Sequence, residues 1–258
     1  MTTWMSWPLV RYVLMGARHD RIILSIFVAI GLACALSIFL GSAAVVEKPE
    51  FAFVYMAASL RNLGAFGLMI FIVFFFRRAM DNRDVDFLLS RPVSRACFLI
   101  SHVVGFAIIA VAIAALVFGA ITIFGWRGWQ PGFLLWGGSY AIELLCVMMV
   151  SLFFSVMLRS ASSATFACLA FYILCRLLGQ ISGILAHKSD IDISHGVLNG
   201  IMQSVMLFLP RLDLLGQTSW LLYGPVAGTP YTFLLVHGCV FMALVFCAMT
   251  ADFVRRQF

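Results

Sequence analysis

The sequence predicts an all-α membrane protein with six transmembrane helices, and three observations carry that prediction. Of the 258 residues, 63% are hydrophobic and only 11% charged, with a mean hydropathy of +1.05, which leaves too little polar surface to cover a soluble globule. Six apolar runs, at about 22–46, 53–76, 96–124, 133–157, 162–186 and 231–253, match the roughly 20 helical residues that cross a hydrocarbon core of about 30 Å. Arginines gather at alternate ends of those runs. Backbone in lipid must satisfy its own hydrogen bonds and no alternating barrel pattern is present, so each run is expected to be helical. Such a chain has no room for a soluble catalytic domain, and its function is expected within the membrane or on a partner.

Before the first run, residues 1–21 read as an amphipathic elbow. Trp4, Trp7, Val10 and Leu14 share one helical stripe, with Arg11 and Arg18 on another flank, as in a helix lying in the interface plane. Ser42-Ala43-Ala44 has the small residues of a signal cleavage site, but the apolar run from Ile22 is too long for a signal core, and a retained first span is expected.

Orientation follows from the positive-inside rule. With the first residues inside, Arg11, Arg18, Arg21, Arg77, Arg78, Arg83, Arg91, Arg95, Arg159, Arg255 and Arg256 are cytoplasmic, and mainly Lys48, Arg127, Lys188 and Arg211 are outside. Eleven against four places both termini in the cytoplasm. The net charge of +6 does not point to nucleic acid, because the basic residues are scattered at the ends of apolar runs.

The connection 187–230 is expected to be an extracytoplasmic cap. Its segment GVLNGIMQSVMLFLP is too short to cross, carries Asn199 and Gln203 one turn apart, and ends at Pro210, so it reads as an interfacial or re-entrant helix. Trp220, Tyr223, Pro225 and Pro230 supply interfacial aromatics and helix breakers to the rest.

Charge within the spans is sparse and therefore informative. Arg61 and Asn62 fall near the outer end of the second run, Glu143 midway along the fourth, and Arg176 with Gln180 in the outer half of the fifth. Two readings stay open: an intramembrane lock in which Glu143 pairs with Arg176 or Arg61, and a translocation path lined by these residues. Arg61 is treated as snorkelling to the interface. His102 and His237 lack a second ligand at metal spacing and read as hydrogen-bonded bundle histidines. The thirteen methionines are dispersed like core filler, and the seven cysteines lie in or beside apolar segments, so neither a metal site nor a disulfide framework is implied. Gly179 and Gly183 form a small-xxx-small pattern that suits close helix approach, within the chain or between subunits.

The one dense cluster of charge is DNRDVDFLLSRPVSRACF, from Asp81 to Phe98. Asp81 is placed to cap a short helix, Asp84 follows at box-like spacing, and Pro92 biases Arg91 away from helix. Val85, Leu88 and Leu89 then form an apolar edge beside Arg83, Asp84 and Asp86, and Ser94 can cap the next helix near Arg95. Physics alone leaves two readings, a loop whose charges keep it out of lipid and a strut that docks into a partner's groove.

The run Phe87-Leu88-Leu89-Ser90-Arg91-Pro92-Val93-Ser94-Arg95, followed by an apolar helix with Gly105, resembles the first cytoplasmic loop of exporter-type (type-two integral membrane) ABC transporter permeases. The N-terminal elbow, the inside termini and the external Leu209-Pro210-Arg211-Leu212-Asp213 before the last span are similar to the same family. The resemblance implies a single permease domain over 1–258, with residues 81–92 as the coupling helix that contacts the ATPase. The family's early acidic residue matches either Asp81 or Asp84. It further implies an ABC ATPase dimer as partner, a second permease subunit (a homodimer or a paralogue), the lipid bilayer, an optional extracytoplasmic accessory protein, and residence in a bacterial inner membrane.

The chain itself has no glycine-preceded lysine, hence no phosphate-binding loop, so it is expected to be no enzyme and to hold no cofactor, with ATP and magnesium on the partner. No HExxH, GxSxG or paired membrane aspartate supports an intramembrane hydrolase. Two alternatives are the haem-handling permease of cytochrome c maturation, in which 187–230 would be unexpectedly long, and a non-enzymatic assembly scaffold.

Overall fold

The computed structural model describes residues 5–43, 48–82, 94–125, 131–188, 200, 204–224 and 231–255. Nine helices are named among them: α1 (Trp7–His19), α2 (Arg21–Ala43), α3 (Lys48–Asp81), α4 (Arg95–Gly125), α5 (Pro131–Met157), α6 (Ala161–Lys188), the single turns α7 (Leu212–Leu215) and α8 (Trp220–Tyr223), and α9 (Tyr231–Arg255). Residues 204–208 are also helical. No strand occurs among the described residues, and α2, α3, α4, α5, α6 and α9 are long and apolar enough to cross a membrane. The protein is a multi-pass helical membrane protein.

The six long helices coincide with the expected runs, although α3 reaches further at both ends. Its 34 residues make about 51 Å of helix, well beyond a hydrocarbon core of about 30 Å. Extra length places Arg61 thirteen residues, or about 20 Å, from the Lys48 end, deeper than the sequence implies.

The bundle is built around α5, which touches α3, α4, α6, α7, α8 and α9. Two-thirds of its apolar window is buried, against 17% for α9 and 28% for α2, so α5 is the axis and the other two lie at the periphery of the bundle. In lipid, apolar side chains gain little by leaving one greasy neighbour for another, so close packing decides contact. Helix α2 shows this division: Ile26, Ile30 and Ala33 are buried against the protein, whereas Leu24, Phe27, Leu32, Leu36 and Phe39 face outward.

Helix α1 begins with a proline in its first turn and ends with Arg18 and His19, which suit the negative end of the helix dipole. Its protein-facing stripe is Leu9, Val10, Val13 and Ala17, and Trp7 is exposed. Of the residues read as one stripe, Val10 faces the protein and Trp7 faces outward; Trp4 lies outside the described residues. Close approach decides the face: a Cβ on Gly105 would stand 2.9 Å from the Val13 Cβ, and one on Gly16 would stand 2.5 Å from the Phe75 ring. Asp20 then accepts the Ile22 amide at 2.9 Å, capping the entry into α2. At the start of α4, the Ser94 hydroxyl accepts the Cys97 amide at 3.2 Å, the cap expected for that helix.

Candidate intramembrane site

Three charges converge between α3, α5 and α6. Arg61, Glu143 and Arg176 each lie twelve or thirteen residues, about 18–20 Å, from the same end of their helices, the end marked by Lys48, Pro131 and Lys188. This common depth brings together groups separated by 82 and 33 positions in sequence.

Arg61 is 1% exposed and Glu143 fully buried. The Arg61 Nε donates to Glu143 Oε2, and its Nη2 donates to the Leu215 carbonyl at 2.7 Å and the Ser139 hydroxyl at 3.3 Å. The guanidinium lies 5.2 Å from the Trp136 ring centre and 5.3 Å from that of Tyr140, within cation–π range. Snorkelling is therefore corrected: Arg61 turns into the bundle because Glu143, a backbone carbonyl and two ring faces offer what the interface would.

The other carboxylate oxygen, Glu143 Oε1, meets Arg176 Nη2 at 3.2 Å and accepts the Tyr172 hydroxyl at 2.9 Å. Arg176 Nε donates to the Tyr172 oxygen at 3.2 Å, and Asn62 Oδ1 lies 3.3 Å from Tyr172 and 3.4 Å from Arg176 Nη2. Glu143 thus pairs with both arginines, where the sequence offered one or the other. A carboxylate with two oxygens and about four acceptor directions can serve both. Gln180 is exposed one turn along α6, and no described contact joins it to this cluster.

Residues 209–224 enter the same site. Leu212, Leu215, Trp220 and Leu221 are buried, α7 packs on α5 and α6, and α8 packs on α5. Glycine permits this approach: a Cβ on Gly132 would stand 2.2 Å from the Trp220 carbonyl, and one on Gly179 2.3 Å from Asp213 Oδ2. Gly179 therefore serves packing within the chain. Asp213 is paired with Arg211 at 2.9 Å. Asn199 and Gln203 lie outside the described residues.

Between α3 and α6 the cluster borders a cleft of ≈ 350 Å³. Arg61, Asn62, Tyr172 and Arg176 line its polar side, with Gly216 and Thr218 over it. Sequence reading missed Tyr172, Ser139, Trp136 and Tyr140. Their signal was spacing: Tyr172 is one turn before Arg176, and Ser139 and Tyr140 are one turn before Glu143.

The second predicted site is the charged loop. Asp81 is the last residue of α3, and its carboxylate accepts from Arg77 Nη2 at 2.8 Å; the segment it is expected to cap lies outside the described residues. The i,i+4 pair with Arg77 holds it on the helix that precedes it. Arg77, only 8% exposed, also donates to the Arg159 carbonyl beyond α5, and Arg78 lies 3.5 Å from Asp20. Arg83, Asp84, Val85, Asp86, Leu88, Leu89, Arg91 and Pro92 lie outside the described residues.

Both histidines bond backbone. His102 Nδ1 meets the Phe98 carbonyl at 2.9 Å, and His237 Nε2 meets the Leu209 carbonyl at 2.8 Å. No cluster of metal-ligating residues occurs among the described residues. No protein-family model matches the chain, and no curated protein matches it significantly in sequence.

Proposed function

We propose that the chain is the membrane-spanning permease subunit of an ATP-driven ABC transporter, with ATP hydrolysis on a separate ATPase chain at the face where Asp81 lies. The observation that carries this reading is the mounting of the charged loop. The resemblance places the coupling helix at 81–92. Helix α3 runs unbroken from Lys48 to Asp81, with Arg61 in the buried cluster and Asp81 twenty residues, about 30 Å, further on.

A helix held at both points transmits displacement along its length. At the loop end, Arg77 and Arg78 tie α3 to the Arg159 carbonyl and to Asp20. At the other end, Arg61 ties it to α5 and α7. A push on the loop would therefore shift α3 against Glu143 and Arg176, changing the polar contacts between α3, α5 and α6. Two such subunits, in the same or a related chain, would frame the path for export or carry force to an extracytoplasmic partner. On this reading the protein resides in a bacterial inner membrane with both termini inside.

The test is to purify the tagged chain in mild detergent and quantify copurifying proteins by mass spectrometry. A P-loop ATPase in near-equal amount, released by Leu88→Asp while the chain stays folded, is the expected result. Recovery of the chain without an ATPase from several mild detergents, or an ATPase retained in full by Leu88→Asp, overturns the proposal.

A further inference from the structure

We infer that the cleft between α3 and α6 is a binding site for the anionic head of an amphiphile, a phosphate or carboxylate carried on an alkyl chain. The inference rests on the cleft alone and holds whether or not an ATPase drives the chain.

Charge comes first. Among the described residues, three cations, Arg61, Arg176 and Arg211, stand around the cleft and its roof against two anions, Glu143 and Asp213. Asp213 is matched by Arg211, so Glu143 serves two guanidiniums and one positive charge is in excess. In a low-dielectric bundle such an excess attracts an anion strongly.

Donors come second. Arg61 spends Nε and Nη2 on the cluster, and its Nη1 has no hydrogen-bond partner among the described residues, although the side chain is 1% exposed. Arg176 is 23% exposed and lines the cleft; its Nε and Nη2 are spent on Tyr172, Glu143 and Asn62, which leaves Nη1, beside Gly216, to donate to an oxygen of the head group. Asn62 and Thr218 add neutral polar groups at the same wall.

The third observation is the shape of the exit. Phe66, Ile173 and Leu177 line the cleft on its apolar side, and Ile173 and Leu177 are also 45% and 41% exposed on the flank of α6. That flank continues in Leu174 and Ile181, both outward-facing. The cleft thus opens sideways, along an apolar helix face, into what the bilayer occupies. A free inorganic anion would use the arginines and none of this wall; an amphiphile uses both.

The experiment is a binding titration of the purified full chain in dodecyl maltoside micelles, read by the fluorescence of its tryptophans, Trp136 having its ring centre 5.2 Å from the Arg61 guanidinium. The probes are dodecyl phosphate, dodecanoate, a neutral dodecyl glucoside and inorganic phosphate. Dodecyl phosphate and dodecanoate are expected to saturate, and the neutral glucoside to give no saturable change. Inorganic phosphate should bind at least about tenfold more weakly than dodecyl phosphate. Arg176→Gln should weaken dodecyl phosphate by about tenfold or more, the size expected for a charge-assisted contact. Thr218→Trp, which puts an indole into the cleft while leaving Arg61, Glu143 and Arg176 in the chain, should abolish binding with the chain still folded, and it keeps the test sound if Arg176→Gln folds poorly. Equal affinity for inorganic and dodecyl phosphate would replace the amphiphile with a free anion and overturn the inference. So would unsaturable binding of dodecyl phosphate to the native chain, or wild-type affinity in Thr218→Trp.

Discussion

Two halves of the bundle hold their helices together by different means. Toward the Asp81 end, Phe71, Phe75, Phe76, Phe98, Phe106 and Phe253 stack around His102, with ring centres 4.1–6.3 Å apart. Toward the other end, Arg61, Glu143, Arg176, Tyr172 and Asn62 form one hydrogen-bonded cluster. In water the aromatic half would dominate, because removing rings from solvent stabilises more than pairing charges does. In a bilayer the reference state is already apolar, so rings contribute packing only, whereas a stranded charge has nowhere favourable to go. The polar half is therefore expected to be the brittle one and the aromatic half the forgiving one.

The largest expected effect is that of Glu143→Ala, which leaves two arginines without their carboxylate. Removing one partner of a buried pair costs about 3–5 kcal/mol. Unfolding of the purified variant by increasing dodecyl sulfate in mixed micelles measures this, and a loss under about 1 kcal/mol would erase the contrast between the halves. Replacing the whole ionic set, as Arg61→Met with Glu143→Met and Arg176→Met, should recover much of that loss in the same assay, since no charge is then stranded.

Gly216→Ala comes next. Its Cβ would fall 1.5 Å from Arg176 Nη1, so the flexible guanidinium must swing away from Glu143. A cost of about 1–2 kcal/mol, the usual range for overpacking, is expected in the same unfolding assay. In the aromatic half, Phe106→Leu should cost about 1 kcal/mol, mainly a small cavity between α3 and α4. A loss as large as that of Glu143→Ala would show that ring packing, not charge, holds the bundle. The smallest effect is expected on the lipid side, where Leu36→Ala, 50% exposed on α2, should stay within about 0.5 kcal/mol of the native chain.

The six spanning helices were legible in the sequence because a bilayer leaves one solution to an apolar run of that length: a helix with its hydrogen bonds satisfied internally. Ser94 as a cap and Pro210 as a break were legible for the same local reason, since each acts on its own backbone. The charged residues of the cluster could be singled out as costly, but not their partners. Arg61 looked like a snorkelling residue because its run seemed to end nearby; α3 in fact starts at Lys48, and the side chain turns inward. The Arg77 side chain, one turn before Asp81, ties that carboxylate to α3, a contact that reading the charged loop forward from Asp81 did not single out.

By itself, then, the sequence determined an all-helical bundle of six spans, and it marked Arg61, Glu143 and Arg176 as the groups for which the membrane has no use. Only the tertiary structure decided that Glu143 serves both arginines, that the Leu215 carbonyl arrives from a segment 154 positions away, and that a cleft opens beside them. The reason is the range of the forces. Helix formation in lipid is settled within a turn, whereas the pairing of buried charges depends on the depth and rotation of three helices at once, which no local pattern encodes.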